Sequence, residues 1–84
     1  MFAKLYDTKA GQVLVKSDMN DEGGPEVRFY FQPPDLGICS VAYTFEDTKE
    51  GWDKRDKFLF DVNPLQAEAI AADKINEVMN IVGD

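Results

Sequence analysis

The chain has 84 residues, 16 Asp and Glu against 9 Lys and Arg, and no histidine, for a formal charge of −7. That length supports one small domain over residues 1–84 with a modest core. The charge sets the surface against nucleic-acid phosphates, and the missing imidazole removes the commonest triad and acid–base chemistry.

The first residues hold no basic region followed by an apolar stretch, so no signal peptide is read. The longest apolar runs fall far short of the roughly 20 residues that cross a bilayer, so no membrane partner is expected. Cys39 is the single cysteine and has no partner for an internal disulfide. A small domain built without disulfides fits a reducing compartment, so the expected location is cytoplasmic.

In chain order, residues 2–7 and 12–16 predict a hairpin around Thr8-Lys9-Ala10-Gly11, where Gly11 suits a left-handed position. Val13 and Val15 then share one face, with Leu14 and Lys16 on the other. Residues 17–25 are acidic and glycine-rich and read as a mobile loop. Residues 26–32 form the clearest strand, with Val27, Phe29 and Phe31 alternating with Arg28 and Tyr30. Pro33 and Pro34 end it, because proline cannot donate to a ladder. Residues 38–46 predict the next strand, with Cys39, Val41, Tyr43 and Phe45 on one face. The charged stretch 47–56 reads as a second loop carrying Trp52. Residues 57–62 read as a last strand that turns Phe58, Phe60 and Val62 inward.

The period changes at Asn63, a good N-cap followed by Pro64 in the first helical position and Gln66 in the third. Ala67, Ala71, Ile75, Val78, Met79 and Val82 fall on one stripe, and Gly83 is a plausible stop. The expected fold is α+β, in the order β-β-β-β-β-α: a four- to five-stranded antiparallel sheet covered by one C-terminal amphipathic helix.

Candidate chemistry is sparse. Cys39 lies on an apolar strand face with no histidine to activate it, and reads as a small buried hydrophobe. Asp18, Asn20 and Glu22 followed by Gly23 match the first half of a calcium loop. The position that should carry the bidentate Glu is Phe29 and no helices flank the loop, so no metal or other cofactor is expected. Gly23-Gly24 lacks the Lys and Ser/Thr of a phosphate loop. The strand Val27-Arg28-Phe29-Tyr30-Phe31 resembles the stacking strands of RNA-binding sheets but lacks their small residues, so Phe29 and Phe31 are read as core.

Two features point to binding. Trp52, amid charged residues, is either a core anchor or an exposed hot spot, with Tyr30 a second candidate anchor. Carboxylates recur at Glu46, Asp47, Glu50, Asp53 and Asp56, and again at Asp73 and Glu77 on the outer side of the helix. Spaced along a rigid surface, they imitate a row of phosphates and suit a basic groove, similar in physical type to small acidic inhibitors made by phages. The expected function is a non-catalytic protein-binding module: an inhibitor or adaptor of a basic DNA- or RNA-handling protein, with no direct nucleic-acid contact. The alternative is an assembly protein that dimerises through a sheet edge, with residues 2–6 exposed, or through the helix.

Overall fold

The computed structural model describes residues 3–83, with side chains as far as residue 80. Phe2, expected to open the first strand, and the side chain of Val82 lie outside the described residues. The elements are β1 (Ala3–Thr8), β2 (Gly11–Met19), β3 (Pro25–Phe31), β4 (Cys39–Thr44), α1 (Lys49–Asp61) and α2 (Pro64–Gly83). The fold is α+β, with a four-stranded sheet in the order β1-β2-β3-β4 and every neighbouring pair antiparallel.

The turns follow from their residues. Gly11 takes φ 95° where β1 turns into β2, a conformation that costs glycine little. The expected mobile loop 17–25 is a shorter and more ordered object. Ser17, Asp18 and Met19 extend β2, and Pro25 already pairs with Met19. Only residues 20–24 turn. There the Asn20 side-chain oxygen accepts from the backbone N–H of Glu22 and of Gly24, both at 2.9 Å, so asparagine mimics a backbone turn.

One face of the sheet is covered and the other is open. Val13, Val15, Val27 and Phe29 point to the covered face and are fully buried, with Phe31 nearly so. Burial of a side chain such as Phe29 stabilises by about 2–3 kcal/mol. Leu59 and Val62, at the end of α1, and Ala67 and Ala71 of α2 complete this core. The rings of Phe29, Tyr43, Phe45 and Phe58 meet around Phe58 at centroid separations of 5.6–6.2 Å. On the open face, Arg28 donates to both carboxylate oxygens of the buried Glu26, at 3.0 and 3.1 Å, and to Ser40 at 2.9 Å. That bond to Glu26 holds the guanidinium above its ordinary value, while burial pulls the other way.

The main departure from expectation is α1. Only Asp47 and Thr48 of the expected loop 47–56 stay outside a helix, and residues 57–62 are not a fifth strand: Lys49–Asp61 form a second helix. Thr48 caps it, its hydroxyl accepting from the Gly51 N–H at 3.1 Å. Alternation and helical spacing conflict over residues 57–62, and helical spacing wins. Phe58 and Leu59 turn to the core with Val62, whereas Phe60, expected inward, is 75% exposed. Helix α1 ends at its C-cap Val62, which is extended at φ −61°, ψ 139° while its N–H still donates to the Phe58 carbonyl. The predicted α2 cap is present as a reciprocal box. Gln66 N–H donates to Asn63 Oδ1 at 2.9 Å, and Asn63 N–H donates to Gln66 Oε1 at 3.2 Å.

Candidate functional site

Strand pairing brings together two acidic segments that are distant in sequence. β3 begins at Pro25, just after the turn, and β4 ends beside it: Glu26 pairs with Thr44, and Phe45 N–H donates to the Pro25 carbonyl at 3.0 Å. The link from β4 to α1 therefore starts at the same end of the sheet as the 20–24 turn. Asp21 and Glu22 of the turn thus lie at the end of the sheet from which Glu46, Asp47, Glu50, Asp53 and Asp56 lead into and along α1, whereas Asp18, paired with Glu26, carries its carboxylate on the open face. All are exposed except Asp18, which is half-buried. Against these eight carboxylates the two segments carry only Lys49, Lys54 and Arg55, so five of the seven excess negative charges lie here.

Arg55 and Trp52 tie the segments together. Arg55 donates to the Asp18 carbonyl at 3.1 Å, pairs with Asp56 at 2.8 Å and lies 4.8 Å from the Trp52 ring centre. The Trp52 indole donates to Asp47 Oδ1 at 2.9 Å. Trp52 thus sits on helix α1, not in a loop, and is half-buried: it is a platform, part anchor and part surface. A guanidinium stacked on an aromatic face contributes about 0.5–1 kcal/mol at such a site. Because Arg55 is committed to Asp18, Asp56 and the ring, it does little to neutralise the other carboxylates.

Gly51 fixes how α1 leaves the sheet. It is buried in the first turn, and a methyl group there would collide with the Glu46 carbonyl. The far end of α1 is held by β1: Lys4 Nζ donates to the Phe60 and Val62 carbonyls at 2.8 and 3.3 Å, and the Tyr6 hydroxyl donates to Val62 at 2.9 Å. A cation at a helix C-terminus is favourably placed against its carbonyl dipoles.

The other expected site residues lie elsewhere. Tyr30 projects from the open face of the sheet, opposite the helices, so it shares no surface with Trp52. Asp73 and Glu77 are exposed on α2 and border a shallow cleft of about 280 Å³ with Val41 and Tyr43. Glu77 pairs with Lys74 at 3.2 Å. The calcium-like trio is spent locally, with Asn20 on its turn and Asp18 Oδ1 accepting from Met19 N–H at 2.8 Å. Among the described residues, no cluster of three or more carboxylate or thiol side chains is placed to hold a metal ion. Cys39 is half-buried beside the core. The reading from sequence missed Arg55, whose signal was its place three residues after Trp52 on a helix not yet recognised. Among the described residues, no helix is long and apolar enough to cross a membrane.

Comparison with models of protein families, with curated proteins and with solved structures yields no significant match.

Proposed function

We propose that this chain is a small non-catalytic binding module, a cytoplasmic inhibitor or adaptor that presents its acidic pole to a basic protein which handles DNA or RNA. The observation that carries this reading is the arrival of two acidic segments at one end of the sheet, where Arg55, stacked on Trp52, bonds the Asp18 carbonyl and the Trp52 indole bonds Asp47. Carboxylates held on a short turn and a docked helix keep fixed spacings, which is what a phosphate-binding groove recognises. Trp52 supplies a rigid, half-buried aromatic surface beside Asp47 and Arg55, a residue type enriched at interface hot spots. Asp73 and Glu77 form a separate outer row on α2, available to a partner that wraps the helical side. The same charge disfavours direct contact with nucleic acid.

Capture from extract of the native host tests the reading, using the wild-type chain and the triple variant Asp21→Asn/Glu50→Gln/Asp53→Asn. These side chains are exposed, and the charge lost at Glu50 in the first turn of α1 costs at most about 1 kcal/mol. The wild type is expected to retain basic nucleic-acid-binding proteins that the triple variant loses. Retention of the same proteins by both chains would refute the acidic pole as the contact.

A further inference from the structure

We propose that β1 is a self-association edge, along which a second copy of this chain pairs antiparallel to extend the sheet. β1 is an outer strand of the sheet, and an exposed edge is a template for another strand unless something guards it. The usual guard is a lysine held out over the edge. Here Lys4 is drawn away from that role, its ammonium bonded to the Phe60 and Val62 carbonyls under α1. Exposed apolar side chains lie beside the edge. Leu5 is 62% exposed on the open face, Phe60 is 75% exposed next to Lys4, and Leu65 is 75% exposed in a shallow groove with Asp7, Thr8 and Lys9.

Charge selects the occupant. Two copies at −7 repel one another, most strongly through the acidic pole. Along β1 the charges cancel, Lys4 and Lys9 against Asp7 and Glu68, so this edge is where like copies can approach. A two-fold axis through Leu5 sets Leu5 against Leu5 on the open face and keeps both copies' helices on one side of the joined sheet, because paired residues share a face. The 20–24 turn lies at the opposite end of β2 from the β1–β2 hairpin, so pairing leaves both acidic poles free. The proposal is independent of what those poles bind.

Sedimentation equilibrium of the full chain tests it, with Leu5→Lys, Phe60→Lys and, at the other sheet edge, Ile38→Lys. An interface of one short strand and three side chains is at the small end of the range, so weak, concentration-dependent dimerisation is expected. Leu5→Lys and Phe60→Lys should each weaken it at least about tenfold, and Ile38→Lys should leave it unchanged. Far-ultraviolet circular dichroism checks that each variant is folded; because two independent positions probe the edge, misfolding of one leaves the other decisive. A monomer up to about 1 mM, a dimer indifferent to both edge variants, or a dimer lost only in Ile38→Lys would each overturn it.

Discussion

Helices α1 and α2 cover the same face of one sheet but are secured in opposite ways. α2 is fixed largely by its own sequence: a reciprocal Asn63–Gln66 cap opens it, and Ala67 and Ala71 let it settle directly on the core. α1 is charged along most of its length and is placed by the rest of the molecule. Phe58 and Leu59 enter the core, Arg55 reaches β2, and Lys4 and Tyr6 of β1 hold its last carbonyls. A helix made mainly of charged residues gains little from isolation in water, so tertiary contacts decide whether it forms. That freedom from packing demands is what lets α1 carry the acidic pole.

The contrast can be broken at its root. Phe29→Ala removes the side chain against which Phe58 and Tyr43 pack and is expected to cost about 3–5 kcal/mol, read as a fall in the denaturation midpoint in urea. Because α1 depends on that ring more than α2 does, hydrogen exchange should deprotect α1 further than α2. Equal loss in both helices would dissolve the distinction.

Gly51→Ala gives a change of sign. In an ordinary exposed helix the substitution stabilises by about 1 kcal/mol. Here the methyl group meets the Glu46 carbonyl, and a loss of about 1–3 kcal/mol is expected from overpacking. Thermal denaturation reads the sign directly, and a stabilised variant would mean that the link from β4 to α1 is looser than described.

The smallest effect belongs to α2. Asn63→Ala opens its capping box and should cost about 1 kcal/mol, while the helical signal of α1, which ends before it, stays unchanged by site-resolved hydrogen exchange.

The same contrast explains what was legible in the sequence. β2, β3 and α2 were readable because their patterns are local: Val13 with Val15, Val27 with Phe29 and Phe31, and the Asn63-Pro64 start each signal their element unaided. α1 was not. Gly51 resembles a loop glycine until its contact with Glu46 is known, and residues 57–62 fit a strand and a helix alternately. The individual acidic residues were visible, but their assembly into one pole was not. It depends on β4 ending beside Pro25 and on Arg55 crossing to Asp18, neither of which leaves a local trace. Sequence alone cannot separate Tyr30 from Trp52 as an anchor, because which strand residues face the helices depends on the pairing of the sheet.

The most direct test of the acidic pole is competition. A basic partner captured by the chain is titrated with duplex DNA and with RNA, at about 0.05 M and at about 0.3 M salt. The account expects nucleic acid to displace the chain from its partner, and the added salt to weaken binding at least about tenfold. A ternary complex in which partner, chain and nucleic acid are held together, with binding indifferent to salt, would contradict it.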